Sequence, residues 1–149
     1  MNRPISTRTH GVIDYTWATT AAALPQTMPN ATATSRLVRG AGVAATMSSM
    51  LTNYEAGVVP ILSMKTHLAF DFVMCSALVA APFFLPRSER RWAAIPVALG
   101  IAGLITGLLT QTRSPREFDE EFVSLDEFEA SLADDIDAVR STALRAHIE

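Results

Sequence analysis

A histidine followed four residues later by an aspartate occurs twice in this chain, at His10/Asp14 and at His67/Asp71. On a helix this spacing puts both side chains on one face. The ring N–H can then donate to the carboxylate. Such a pair can serve as a hydrogen-bonded lock between elements. Its carboxylates can carry protons or ions. Two histidines on related helices could also hold one haem or a metal between them, with the aspartates behind the rings. Acid–base chemistry on a lipid or quinone would use the same groups. The surrounding sequence has to decide among these.

The two settings are nearly the same. Residues 9–25 read THGVIDYTWATTAAALP and residues 66–82 read THLAFDFVMCSALVAAP. At a constant offset of 57, Thr9 meets Thr66, His10 meets His67, Asp14 meets Asp71 and Pro25 meets Pro82. Tyr15 falls on Phe72 and Arg8 on Lys65. A shared period implies one supersecondary unit used twice. The match continues more loosely at an offset of 58, where Gly42 meets Gly100, Leu51 meets Leu109 and Thr52 meets Thr110.

Each unit reads as a helical hairpin. Trp92–Thr112 is 21 residues without a charge, enough to cross roughly 30 Å of hydrocarbon, and carries the strongest transmembrane signal. Thr66–Pro86 and Gly11–Met28 each contain one internal charge, Asp71 and Asp14 respectively. Leu37–Tyr54 is the weakest of the four, rich in small residues that suit close packing in lipid. Arginines gather at the segment ends, where snorkelling places them. Acids inside such segments face the bundle interior, because an unpaired charge in lipid is costly. A cleaved leader over residues 1–33 is not expected, since Asp14 interrupts its apolar stretch. Two crossings per unit return the chain to its starting side, so the units are parallel and both His–Asp pairs lie on one side of the membrane. Positive charges tie at five on each side, and only the acidic tail favours cytoplasmic termini.

Charge divides the chain. Residues 1–112 carry eight basic and four acidic side chains, a formal +4, and residues 113–149 carry four basic and eleven acidic ones, a formal −7. The tail starts with helix signals at Ser114, Pro115 and Glu117. Phe118, Phe122, Leu125, Phe128 and Leu132 then recur at helical spacing, a face suited to docking on a partner protein. No basic cluster suggests nucleic acid. No phosphate loop and no Cys/His pattern with zinc spacing is present, so no cofactor or metal is assigned. Cys75, the single cysteine, reads as small buried packing.

The pattern His-Gly-x-x-Asp-Tyr, an apolar helix and a proline, used twice, resembles the SPW-repeat integral membrane family of bacteria and archaea. The segment TNYEAGVVPILSMKTHLAFD is similar to that family's junction between repeats. The resemblance covers about residues 5–112, although Leu24-Pro25-Gln26 and Ala81-Pro82-Phe83 keep only the proline of the signature. It implies an integral protein of the bacterial or archaeal plasma membrane with no established activity.

The sequence therefore predicts an all-α fold: a four-transmembrane-helix bundle over residues 1–112, plus an acidic helical tail over 113–149. Repeat 1 spans about 5–57 and repeat 2 about 62–112. The leading function is a non-enzymatic structural or accessory subunit, in contact with the bilayer and with a membrane-protein partner or a second copy. A small transporter or proton conductor using Asp14 and Asp71 is the alternative, and a redox protein holding haem between His10 and His67 is the third.

Overall fold

The computed structural model describes residues 3–118. The described residues hold four complete α-helices and short 3₁₀ turns, and form no strands. α1 spans Thr7–Ala23, α2 Thr32–Met50, α3 Met64–Ala80 and α4 Ala94–Leu109. The all-helical expectation holds.

Local chemistry sets the helix limits. Ser6 and Ser63, one offset of 57 apart, cap α1 and α3 by accepting from the Thr9 and Thr66 amides at 3.1 and 3.2 Å. α1 and α3 pass into 3₁₀ turns, Leu24–Thr27 and Ala81–Phe83, at the positions where Pro25 and Pro82 remove a backbone donor. α2 is then approached through Asn30 at φ 61°, a left-handed conformation that asparagine tolerates. Pro96 sits in the first turn of α4, where its missing N–H does no harm.

Each hairpin packs through a glycine. A Cβ on Gly42 would come within 3.0 Å of the Ala18 carbonyl, and one on Gly100 within 2.6 Å of the Cys75 carbonyl. These contacts are related by the same offsets as the sequence match. Cys75 is buried, as expected.

The two hairpins also exchange their ends. Ile5 pairs in parallel with Thr110, and Leu62 pairs in parallel with Thr52. The leading segment of each hairpin is therefore stitched to the last residues of the other. Trp17 adds a cross-link, donating its indole N–H to the Leu99 carbonyl at 3.0 Å.

Spanning length is more modest than the sequence suggests. Met64–Phe83 is the one described segment long and apolar enough to cross a membrane, and Ala94–Leu109 is a shorter apolar helix. The uncharged run Trp92–Thr112 does not form one helix. Trp92 closes a 3₁₀ turn that starts at Arg87, and Thr110 turns extended, at φ −84° and ψ 143°, to meet Ile5.

Polar groups lie inside. Thr7, Thr34, Ser49, Thr52 and Thr110 are buried, while Val12, Val73, Ile105 and Leu108 are each more than half exposed. In α4 only Pro96 and Gly100 are buried.

Glu89, on the Arg87–Trp92 turn, is a buried acid that the sequence did not single out. It caps α2 by accepting from the Thr34 amide at 2.8 Å, the Ala33 amide at 3.1 Å and the Thr34 hydroxyl at 2.9 Å. The bond from the Thr34 amide, with those from Ala33 and the hydroxyl, holds its carboxyl below the usual 4.5. A lowered folded value stabilises the fold above the ordinary carboxylate range. That contribution is lost as pH falls through the lowered value. Thermal melts of wild type and Glu89→Gln should therefore differ most near neutral pH. The two curves should converge as pH drops toward ~3. A constant gap across that range would show that Glu89 acts without its charge.

The chain divides into two compact units, residues 1–115 and 116–149. Of the tail's apolar face, Phe118 is described and exposed. Phe122, Leu125, Phe128 and Leu132 lie outside the described residues.

Candidate functional site

His10 and His67 stand on the fourth residue of α1 and of α3, and Asp14 and Asp71 stand one turn further on. The structure brings all four to one point. The two Nε2 atoms are 3.2 Å apart, with the rings at 88° to one another. Asp14 Oδ2 lies 3.3 Å from His10 Nε2 and 3.0 Å from His67 Nε2. Asp71 Oδ2 lies 3.4 Å from His10 Nε2 and 3.1 Å from His67 Nε2.

This is one four-group centre, in which the two pairs, each read from the sequence as a lock between the hairpins, meet face to face. For Asp14 the crossed contact to His67 is shorter than the contact within its own helix. Helical spacing puts a pair on one face, but the docking of the hairpins decides which imidazole lies nearer. The centre is enclosed. The His10 and His67 side chains are 2% and 0% exposed, and those of Asp14 and Asp71 12% and 11%.

Behind the rings stand two threonines rather than the aspartates. His10 Nδ1 is 2.9 Å from the Thr110 hydroxyl, and His67 Nδ1 is 3.0 Å from the Thr52 hydroxyl. Each hydroxyl gives its own hydrogen to the carbonyl four residues back, at 2.7 Å to Thr106 and 2.6 Å to Ser48. A hydroxyl has one hydrogen. Both oxygens must then accept from Nδ1–H. That assignment fixes the neutral rings in the Nδ1–H tautomer and turns the Nε2 lone pairs inward. The pairing is exchanged between hairpins, since each histidine reaches the threonine of the other one.

The offset of 58 that aligns Thr52 with Thr110 was the sequence signal for these two residues, though it gave them no role. Ser49 gave no signal. It donates to Asp14 Oδ2 at 3.0 Å. Tyr54, fully buried, tilts over the His67 ring with centroids 5.8 Å apart. Thr7 ties the loop after α2 to α1 by donating to Glu55 at 2.7 Å.

Beside the centre is a cavity of about 20 Å³, bordered by Ile13, Trp17, Met74, Gly103 and Thr106. That is room for about one water molecule. Four polar atoms converging in so small a space can share protons or hold a cation. They leave little volume for an organic substrate.

No protein-family model, curated protein or solved structure matches this chain.

Proposed function

We propose that the chain is a non-enzymatic integral membrane protein, a structural or accessory subunit built from a duplicated helical hairpin and closed by its four-group His/Asp centre. The observation that carries this reading is the apolar exterior of α3 and α4, set over an interior that also holds polar groups. Threonines, serines, histidines and an aspartate are buried beside an alanine-rich core, while Phe70, Phe72 and Val73 on α3 and Ile101, Ile105, Leu108 and Leu109 on α4, with Val12 on α1, stand exposed. Water would penalise such an exterior, and a patch this continuous marks contact with lipid or protein. Lipid in turn penalises unpaired polar groups, so they belong inside with partners. The four helices would then cross together, with α1, α2 and α4 relying on their neighbours where Met64–Phe83 has the length to span by itself. The likeness to the SPW-repeat family belongs to the same proposal, as do the acidic tail's role in partner docking and the plasma-membrane location.

The centre serves this reading as the lock between hairpins, because the His10–His67, Asp14–His67 and Asp71–His10 contacts join α1 to α3, and each histidine reaches the threonine of the other hairpin. Haem does not fit between the two histidines. An iron with two axial imidazoles separates their nitrogens by about 4 Å, given metal–nitrogen bonds of about 2.0 Å. Here that separation is 3.2 Å, and the carboxylates occupy the plane a porphyrin would need.

Fractionation tests the membrane reading. The protein should stay in the pellet through high-salt and carbonate washes and be released only by detergent, since insertion does not depend on surface charge. Recovery in the carbonate supernatant would end it. Reconstituted into liposomes, the wild type should give no proton flux above empty vesicles. A flux that disappears in Asp14→Asn would make the carboxylates a conduction path instead.

A further inference from the structure

We propose that His10, Asp14, His67 and Asp71 are the four ligands of a single tetrahedral divalent transition-metal ion of the zinc class. This rests on the reading of the centre as the lock between hairpins, and it names what closes the lock. It departs from the sequence reading, which assigns no metal.

Distance is the first argument. A tetrahedral ion with bonds of about 2.0 Å has ligand atoms about 3.3 Å apart along each edge. Five edges of the donor set run 3.2, 3.3, 3.4, 3.0 and 3.1 Å. The sixth, between the carboxylates, is bounded by the 4.8 Å within which all four atoms fall. Five of the six edges thus match the coordination sphere, and the sixth would close onto the ion by rotation of the two aspartate side chains, without movement of the helices.

Lone pairs are the second. With Thr52 and Thr110 taking the Nδ1–H hydrogens, two imidazole lone pairs and two carboxylate oxygens face one another. Two bare nitrogens at 3.2 Å repel unless something positive lies between them. A proton on one Nε2 reaches at most the two carboxylate oxygens and leaves the other ring facing it, whereas a cation at the centre serves all four atoms.

Charge and supporting contacts agree. Two carboxylates neutralise a divalent ion, so the loaded centre is uncharged inside an apolar bundle. Metal-bound histidines donate the other ring N–H to an oxygen that orients them, which is the role the two threonines occupy here. Ser49 does the same for Asp14. Ca²⁺ and Mg²⁺ favour six or more oxygen ligands, which this set cannot supply. Two nitrogens and two oxygens in tetrahedral array suit Zn²⁺, with Co²⁺ as a spectroscopic substitute. All four positions are filled by protein, which marks a structural ion without an open site for catalysis.

Short motifs miss such a site. Its ligands come as two i,i+4 pairs that lie 57 residues apart, on helices that meet only in the fold.

The full chain, purified in mild detergent from zinc-supplemented cells, should hold one Zn²⁺ per chain by elemental analysis. Stripping with a chelator should lower the melting temperature, and Zn²⁺ or Co²⁺ should restore it where Mg²⁺ does not. The Co²⁺ form should show the intense visible bands of a tetrahedral ion. Thr52→Val keeps all four ligands but frees the His67 ring. It should bind Zn²⁺ about 10- to 100-fold more weakly while still taking up Co²⁺ with colour. Failure of the stripped wild type to take up Zn²⁺ or Co²⁺, with a melting temperature indifferent to both, would overturn the metal. The membrane lock would survive that result if Asp71→Asn still lowered the melting temperature. Stoichiometric Zn²⁺ in a protein that carbonate releases would instead keep the metal and remove the membrane reading.

Discussion

Asp71→Asn should lower the melting temperature of the detergent-solubilised protein by about 10 °C or more. Asp71 Oδ2 contacts both imidazoles, at 3.4 and 3.1 Å, and is largely shut off from solvent. Removing one carboxylate charge leaves the cation that the four groups enclose without full compensation, and stripping a partner from a buried charge costs about 3–5 kcal/mol. For a domain of this size each kcal/mol moves the transition by roughly 2–8 °C. Asp14→Asn should lose a similar amount, since Asp14 Oδ2 also reaches both rings. The double variant should cost less than the two single losses together, because groups in one network do not add. Two separate locks would give additive losses. A pair of silent single variants would mean that the centre does not hold the hairpins together.

Gly100→Ala should be nearly as damaging, for a different reason. Its new methyl would meet the Cys75 carbonyl at 2.6 Å, Val79 Cγ2 at 2.8 Å and the Val79 amide nitrogen at 3.0 Å. Two of these are backbone atoms of α3, which cannot swing aside as a side chain can. α4 must then move off α3, and overpacking of this kind costs about 1–3 kcal/mol. Gly42→Ala should cost less, since its nearest contact is 3.0 Å and a second is the Ala21 methyl. Gly40→Ala should have the opposite sign. Nothing lies within 4 Å of a Cβ there, and alanine in a helix interior gains about 0.5–1 kcal/mol over glycine. Melting temperatures of the three variants give the ranking directly. Equal losses at Gly40 and Gly100 would mean that α3 and α4 are not in close contact.

Much of this arrangement is legible in the sequence. The offset of 57 picks out the four residues of the centre and the elements that carry them, because a His-x-x-x-Asp pair inside an apolar helix needs a polar partner, and its repetition supplies one. Apolar run length finds all four helices, though their ends fall up to six residues from where the runs begin and stop. What stays hidden is decided by contacts across long separations. Asp14 lies closer to His67 than to its own His10, which follows from how two hairpins dock and leaves no mark on local spacing. Thr52 and Thr110 align with each other, but a hydroxyl near a helix end reads as ordinary capping until a ring is placed beside it. Glu89 sits on a charged turn, RSER, that reads as solvent-exposed until α2's amide ends are seen to converge on it. The break after Trp92 is masked because a run without charges gives no sign of where Thr110 must leave the helix.

The exchange of ends between the hairpins also sets an order of events as the chain is made. His10 waits for Thr110, its partner 100 residues later. Asp14 waits for His67, which follows it by 53 residues. When α1 and α2 leave the ribosome, their histidine and aspartate hold only local contacts, with Ser49 and with each other. α3 then supplies two more groups, but the ring of His10 is not oriented until Thr110, extended beyond the end of α4, has paired with Ile5. Pairings of such long range close late and slowly. The first half of the chain is thus a half-built enclosure that stays open, and vulnerable, until the final residues of the second half arrive to shut it.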